Sequence, residues 1–406
     1  MLSKILPIFI LLIILGEVYT CHLIYKFTKR KLAVVVYLLF LVGMILGLIY
    51  YFNGMDRSKG QTAESMHIMA FLVFFLLPKV VFTTAYLIED IFRLSRWSKN
   101  KFISKQNKSF HRSRIFTRIV LSLTIFVALS IIYGIFIGKY NYKVREEIVH
   151  FETLPPAFDG MRILHISDLH VGSWDNKKAI QKGIRLINEQ SYDLLVFTGD
   201  FVNTLASEAD PWTTLISQIK TPKYGKYAIL GNHDYGEYVV WPNEEAKAKN
   251  FENIKRNIEK SGFTLLMNEN VALSNHQDTI YLLGVENWGT NFKKVGDLKK
   301  TTDGVSKNDF KIVLTHDPSH WTAEIVGHPQ QYQLTLSGHT HGMQFGIDIP
   351  GIIEWSPSKY IYPEWGGLYQ QKNQYLYVNR GFGFHAYSGR IGIWPEITVI
   401  ELKKTP

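Results

Sequence analysis

Residues 162–170 read RILHISDLH, an apolar run that ends in an aspartate and a histidine. Four further runs of the same kind occur along the chain: Leu194–Thr198 leads into GD, Tyr227–Leu230 into GNHD, Lys311–Thr315 into HD and Leu334–Ser337 into GHTHG. Short apolar runs bounded by polar turns are typical of buried strands. In open α/β sheets, ligands gather beyond the carboxyl ends of the strands. We therefore expect these five turns to meet at one edge of a sheet.

The polar residues in these turns are of the types that hold a pair of divalent cations. Two adjacent cations repel each other, so a carboxylate must bridge them, and Asp200 is the candidate. Carboxylate, imidazole and amide oxygen together suit Mn, Fe or Zn better than Mg or Ca, which prefer oxygen ligands alone. The single cysteine, Cys21, excludes both a thiolate cluster and an intrachain disulfide.

The order of the motifs, D-x-H, G-D, G-N-H-D, H and G-H-x-H, resembles the calcineurin-like metallophosphoesterase superfamily. The resemblance covers about residues 148–403. The tail NRGFG from Asn379, with PEI from Pro395, is similar to the membrane-associated bacterial branch, although Met343 stands where that branch usually has glycine. The resemblance implies an α/β sandwich of two mixed sheets flanked by helices. Helical patterns such as Lys177–Glu189 and Glu244–Lys260, lying between the first strands, favour the same class.

The resemblance also implies a role for each residue of the motifs. The ligands expected at the first metal are Asp168, His170, Asp200 and His341. Those expected at the second are Asp200, Asn232, His316 and His339. His233 is expected to contact the substrate phosphate and protonate the leaving group, with Asp234 orienting it. Arg380 and Arg390 are candidate substrate-binding residues that could hold a phosphate. The cofactors implied are two divalent ions, with Mn favoured over Fe or Zn.

The other histidines lie outside the ordered motifs, and we expect them to be structural. They are His22, His67, His111, His150, His165, His276, His320, His328 and His385. The aromatic-rich segment Phe345–Tyr369 directly follows the last motif, so we expect it to border the active site. It could form an apolar wall for a lipid or nucleoside group, rest on the bilayer, or be ordinary loop packing.

Four apolar stretches near the N-terminus each reach the roughly 20 residues that cross a bilayer. They are Ile5–Tyr25, Leu32–Phe52, His67–Ile88 and Ile115–Gly138. Residues 1–150 hold 20 Lys and Arg against 7 Asp and Glu, whereas residues 151–406 hold 25 against 28. Because the basic residues flank apolar segments, membrane topology explains them better than nucleic-acid binding. We expect a four-helix transmembrane region at 1–138, a linker at 139–160 and the metallophosphoesterase domain at 161–406.

Basic residues in the short connections predict the orientation in the membrane. The first connection holds four within residues 26–31, the third holds eight within residues 89–114, and the second holds only Arg57 and Lys59. The first and third connections should therefore be cytoplasmic, and the catalytic domain extracytoplasmic. Lys139, Lys143 and Arg145, which follow the last span, argue weakly the other way.

Glu17 and Lys79 are ionisable residues inside the expected spans, at similar depth. An isolated charge in the bilayer costs several kcal/mol, so we expect the two side chains to pair. The alternative is that each side chain reaches the interface or lines a small polar pocket.

The expected function is that of a dinuclear metal-dependent phosphoric ester hydrolase. Its substrate would be a phosphomonoester, phosphodiester or pyrophosphate, attacked by a hydroxide that bridges the two metals. A lipid-linked substrate fits an active site tethered to the bilayer, and no nucleic-acid partner is expected. The alternative is a membrane transporter or receptor whose metal domain is regulatory. The spans contain no pair of interrupted helices, so they lend a transport path little support.

Overall fold

A computed structural model describes residues 2–103, 111–276, 278–290 and 292–405, with side chains from residue 13 onward. Lys105 and Lys108, two basic residues of the third connection, lie outside these ranges. The chain divides into two compact units. One comprises Met1–Asp56 with Leu72–Ser130, and the other comprises Arg57–Phe71 with Ile131–Pro406.

Four helices form the N-terminal part: α1 (Leu2–Thr28), α2 (Lys31–Gly54), α3 (Ala63–Phe102) and α4 (Arg114–Phe136). Among the described residues, α2, α3 and α4 are long and apolar enough to cross a membrane. α3 continues well past the predicted end of its span at Ile88, because hydropathy marks the membrane segment and not the polar helix that extends it.

The predicted contact between Glu17 and Lys79 is confirmed within the first unit. The ammonium group of Lys79 forms an ion pair with the Glu17 carboxylate, and both side chains are largely buried. The hydroxyl group of Tyr37 donates to the other carboxylate oxygen of Glu17. Each charge therefore has the polar partner that a charged group needs inside a membrane span.

The fourteen strands of the described residues and the four shorter helices lie in the second unit. In chain order these are β1 (Lys143–Phe151), β2 (Arg162–Ile166), α5 (Lys177–Glu189), β3 (Leu194–Phe197), α6 (Thr213–Ile216), β4 (Lys226–Ala228), α7 (Glu244–Lys260), β5 (Thr264–Leu265), β6 (Glu269–Asn275), β7 (Asp278–Gly284), α8 (Leu298–Thr301), β8 (Phe310–Leu314), β9 (Leu334–Ser337), β10 (Ile347–Ile349), β11 (Ile353–Trp355), β12 (Gly367–Gln371), β13 (Gln374–Val378) and β14 (Glu396–Lys404). Asparagine side chains cap the two long helices: Asn176 accepts from the Ala179 N–H, and Asn243 from the Ala246 N–H.

Twelve of these strands form two six-stranded mixed sheets, which confirms the predicted fold class, and β10 and β11 form a separate antiparallel hairpin. The first has the order β1-β14-β2-β3-β4-β5, and the second has the order β12-β13-β9-β8-β7-β6. β2, β3 and β4 are parallel in the first sheet, as are β8 and β9 in the second. Fully buried aliphatic side chains lie between the sheets, among them Val196 of β3 and Ile312 of β8. Helices α5 and α7 cover the outer face of the first sheet.

Two expectations about this unit need correction. The predicted linker 139–160 contains β1, which pairs in parallel with β14 at the edge of the first sheet. Three consecutive polar residues, Arg145, Glu146 and Glu147, interrupt it, so the segment lacks the continuous apolar run that marks a buried strand. The five motif turns, moreover, come from two sheets and not one, three after β2, β3 and β4 and two after β8 and β9.

Candidate metal centre

The five turns bring their side chains into two adjacent groups of metal-ligand atoms. In the first group, Nε2 of His341 lies 3.3 Å from Oδ1 of Asp168 and 3.1 Å from Nε2 of His170. In the second group, Nε2 of His316 lies 3.3 Å from Nδ1 of His339. Atoms spaced this closely can coordinate one ion within each group.

Asp200 lies between the two groups and faces both. Its Oδ2 atom lies 3.5 Å from Nε2 of His170 and 3.1 Å from Nε2 of His316. Asn232 adds an amide oxygen, Oδ1, which is buried and accepts no hydrogen bond in the described part of the chain. A buried acceptor without a donor is costly unless something else binds it. The residues present therefore fit a pair of cations that share the Asp200 carboxylate.

The backbone at the strand ends adopts a conformation that non-glycine residues rarely take. Five of the expected ligands have positive φ angles, namely Asp168, His170, Asp200, His339 and His341. The turns are also too crowded for side chains at some glycines. A Cβ atom on Gly231 would lie 2.2 Å from Oδ1 of Asp200, and one on Gly338 would lie 2.2 Å from Oδ2 of Asp168. Such local strain is typical of functional sites.

Burial and neighbouring charges together shift the pKa values of the groups at this centre. Burial lowers the pKa of His170 and of His233, and it lowers the pKa of His339 to about 4. Burial opposes the ionisation of Asp200, but the neighbouring His316 holds the pKa of that carboxyl well below its usual range. At neutral pH the centre thus offers neutral imidazoles at His170 and His339 and an ionised carboxylate at Asp200, as metal coordination requires. Burial opposes a charge on His316, but the Asp200 carboxylate raises the pKa of that ring to about 10, so His316 must release a proton before it can bind a cation.

His233 lines the cavity over the two ligand groups, and a backbone carbonyl group fixes the orientation of its ring. Nδ1 of His233 lies 2.7 Å from the carbonyl oxygen of Asn203, to which it can only donate. The Nε2 atom is therefore the free nitrogen of the neutral ring. The backbone N–H of His233 donates to Oδ1 of Asp200 at 2.9 Å. The ring also groups with His170 and His385, whose nitrogen atoms lie within 4.8 Å of its own.

Asp234 does not orient His233, contrary to our expectation. Its carboxylate accepts hydrogen bonds from the backbone N–H groups of Asp200, Phe201, Val202 and Gly231, at 2.9–3.2 Å. The side chain therefore ties together the two turns that carry Asp200 and Asn232. The sequence motif places Asp234 beside His233 along the chain, but the turn directs the carboxylate towards unpaired backbone donors.

Arg380 and Arg390 do not face the cavity, so the expectation that they bind substrate phosphate is wrong for this structure. Both side chains are fully buried. Arg380 forms ion pairs with Glu396 at 2.9 Å and with Asp348 at 3.0 Å, which neutralise its charge. Nη2 of Arg390 lies 3.1 Å from Nδ1 of His341 and donates to the carbonyl oxygen of Gly383 at 2.6 Å. Arg390 therefore contacts His341, an expected metal ligand, on the side of the ring that bears Nδ1.

The cavity over the centre has a volume of about 440 Å³. Its lining includes six residues that the sequence analysis did not assign to the site: Asn203, Thr204, Gln61, Tyr238, Phe292 and His385. Of the last four, only His385 could have been suspected from the sequence, because it closely follows the NRGFG motif. A larger opening of about 660 Å³ lies beside β1 and β13, away from the ligand groups.

The segment Phe345–Tyr369 borders the centre at one point, as expected. The hydroxyl oxygen of Tyr362 lies 2.8 Å from Nε2 of His339. Trp365 is buried beneath the Arg380 guanidinium, whereas Tyr360 is exposed. One aromatic side chain thus holds a ligand residue, and others pack or face solvent.

Comparison with known proteins agrees with this geometry. Residues 161–343 match the family described as Calcineurin-like phosphoesterase, and residues 3–139 match one described as Probable Calcineurin-like phosphoesterase, transmembrane domain. The metallophosphoesterase YkuE of Bacillus subtilis (strain 168) is 30% identical over 277 residues, which are 67% of this chain and 90% of that protein. The transmembrane protein with metallophosphoesterase domain of Danio rerio is 28% identical over 324 residues, 77% of this chain and 68% of that one.

A third relative has a named reaction. The UDP-2,3-diacylglucosamine pyrophosphatase LpxG of Chlamydia trachomatis (serovar D) is 28% identical over 295 residues, which are 61% of this chain and 83% of that protein. The fold and the ligand groups define a metallophosphoesterase, the class in which these relatives fall. The chain belongs to the calcineurin-like phosphoesterase family, among the members that carry a transmembrane region.

Proposed function

We propose that the protein is a membrane-anchored, dinuclear metal-dependent phosphoesterase that hydrolyses a phosphomonoester, phosphodiester or pyrophosphate. The observation that carries this proposal is the position of Asp200, whose Oδ2 atom faces both ligand groups. Asp168, His170 and His341 would complete the first metal site with Asp200. The second would be completed by Asn232, His316 and His339.

The ions that suit this mixed set are Mn, Fe or Zn, with Mn as the first choice. When bound, two such ions supply Lewis acidity at the phosphoryl oxygens and lower the pKa of a water between them. The chain itself contributes His233, whose Nε2 atom can take up a proton and, from the resulting imidazolium, donate it to the departing oxygen. The carbonyl group of Asn203 holds the Nδ1–H group, so Nε2 is the nitrogen left for this transfer.

Two observations support an extracytoplasmic catalytic domain. Residues Arg57–Phe71, which comprise most of the connection between α2 and α3 and the first turns of α3, belong to the same compact unit as the catalytic domain. That connection and the domain that follows α4 should therefore lie on the same side of the membrane. The connection carries only Arg57 and Lys59 as basic residues, far fewer than the first and third connections, and basic connections stay in the cytoplasm.

A lipid-linked substrate is supported by an apolar surface on the catalytic domain. The β10–β11 hairpin exposes Ile349 and Ile353 on its strands and leaves Ile352 80% exposed at its turn. Exposed apolar patches of this kind mark interaction sites. Here the hairpin would contact the bilayer interface. The relative LpxG is a pyrophosphatase for UDP-2,3-diacylglucosamine, which points to the same substrate class, a diphosphate joined to a lipid.

The test is hydrolysis by the purified full-length protein. A phosphodiester such as bis(p-nitrophenyl) phosphate should be cleaved, chelation should abolish the activity, and Mn²⁺ should restore it. In vesicles the protein should hydrolyse substrate without carrying solute across the membrane. Hydrolysis that persists after chelation, or solute flux that survives Asp200→Ala, would contradict the proposal.

A further inference from the structure

The connection between α2 and α3 is built into the catalytic unit. The carbonyl oxygen of Arg57 accepts a hydrogen bond from the Val240 N–H at 3.1 Å, and that of Met66 accepts one from the Ser388 N–H at 3.4 Å. The Met66 side chain is buried in the apolar cluster that also contains Phe384. These contacts hold residues 57–71 against the catalytic domain at both ends of the connection.

Gln61, in the middle of this connection, reaches the catalytic cavity. It lines the cavity together with the metal-ligand candidates, and its side chain is half-buried. Its Oε1 atom accepts from the backbone N–H of Ala386 at 3.3 Å. Because the oxygen is engaged in this way, the amide nitrogen is the end of the carboxamide that can donate to an anionic ligand.

His385, the residue before Ala386, lies between this carboxamide and the metal centre. Its ring stacks on His170 at 4.7 Å between centroids and meets His233 edge-on at 4.4 Å. Its Nδ1 atom is buried and has no hydrogen-bond partner among the residues that the structure describes. A buried polar atom that lines a cavity without a partner is a ready contact for a bound polar group.

We propose that Gln61 and His385 form a subsite for a second phosphoryl group of the substrate, beside the one held at the metal centre. This inference rests on the proposed function and makes it more specific, because a diphosphate ester fills such a subsite and a monoester does not. The donors on both side chains suit phosphoryl oxygens. The membrane region thus contributes a specificity-determining residue to the active site in addition to an anchor.

The test measures binding by the full-length, Mn-loaded protein in detergent, using calorimetry with methylenediphosphonate and inorganic phosphate as probes. Wild type should bind the diphosphonate more tightly than phosphate. Gln61→Ala should weaken diphosphonate binding roughly tenfold, the effect of one hydrogen bond to a charged group, and change phosphate binding less than about twofold. His385→Ala should act in the same direction. His67→Ala, at an exposed position on the same segment, should match wild type.

Gln61→Glu separates a binding role from a structural one. The substitution retains an acceptor for the Ala386 N–H but places a negative charge where the amide donor was. If Gln61 faces a phosphoryl group, Gln61→Glu should bind the diphosphonate more weakly than Gln61→Ala. The subsite is refuted if Gln61→Glu binds the diphosphonate as tightly as wild type, or if Gln61→Ala weakens the binding of both probes equally. A protein that shows the expected binding pattern but hydrolyses no phosphate ester would contradict the proposed function and leave the subsite supported.

Discussion

His233→Asn removes the nitrogen that we expect to protonate the leaving group and retains the rest of the local structure. Nδ1 of His233 bonds to the Asn203 carbonyl at 2.7 Å, and the side-chain amide of asparagine can donate to the same oxygen. The backbone bond from residue 233 to Asp200 is unaffected. What is lost is Nε2, the atom that faces the cavity. General-acid catalysis contributes roughly 10²–10⁴-fold, so the barrier should rise by roughly 3–5 kcal/mol.

The assay compares two esters that differ in how much they need that proton. With phenyl phosphate, whose leaving oxygen requires protonation, turnover should fall by roughly 10²–10⁴-fold. With p-nitrophenyl phosphate, whose leaving group departs as an anion, it should fall less than about tenfold. Metal content should stay at the wild-type level, whereas the control Asn232→Ala should lose metal. Equal falls on both esters would refute the acid role, as would metal loss in His233→Asn equal to that in Asn232→Ala.

Three further predictions concern stability. Asp234→Ala leaves four backbone N–H groups without their acceptor, so it should lower the free energy of unfolding by about 3 kcal/mol or more. Normal thermal stability combined with low turnover would contradict this and would support the earlier expectation that Asp234 orients His233. Burial lowers the pKa of His165 from its ordinary 6.5 to about 4. The unfolded chain therefore takes up a proton at this residue before the folded protein does, so the free energy of unfolding should fall by roughly 3 kcal/mol as the pH drops from 6.5 towards 4. His165→Gln can keep the bond to Thr198 and should flatten the fall of the unfolding midpoint over that range; equal slopes would contradict this origin. Glu17→Gln and Lys79→Met should each destabilise the membrane region, with a coupling of roughly 0.5–3 kcal/mol in the double variant, and strict additivity would show that the ion pair contributes nothing.

The sequence predicts which side chains the five turns bring together, because each of these side chains lies within a few residues of a buried strand. Asp200 follows β3 almost directly, and His316 follows β8, so the apolar runs determine where these side chains emerge. The same local logic predicts α5 and α7, whose bounds agree with the structure. The motif order adds that five separate turns belong to one site, although the turns come from two sheets.

The features that the sequence does not predict depend on contacts between distant parts of the chain. Gln61 is one of several polar residues in the connection between α2 and α3, and nothing near it in the sequence indicates a cavity wall. Arg380 lies next to the NRGFG glycines and suggests a phosphate ligand, but Glu396 and Asp348 neutralise its charge in the core. Asp234 likewise takes its partners from two turns, because unpaired backbone donors there need an acceptor.

The most direct test of the dinuclear centre is the metal content of the purified full-length protein after loading with Mn²⁺ and removal of excess ion. Among the described residues, Asp200 is the carboxylate whose Oδ2 atom faces both ligand groups, so wild type should hold two ions per chain and Asp200→Ala should hold well below two. Elemental analysis of both proteins measures this. A wild-type protein that saturates with one ion or none, or an Asp200→Ala variant that retains two, would contradict the shared carboxylate on which the account depends.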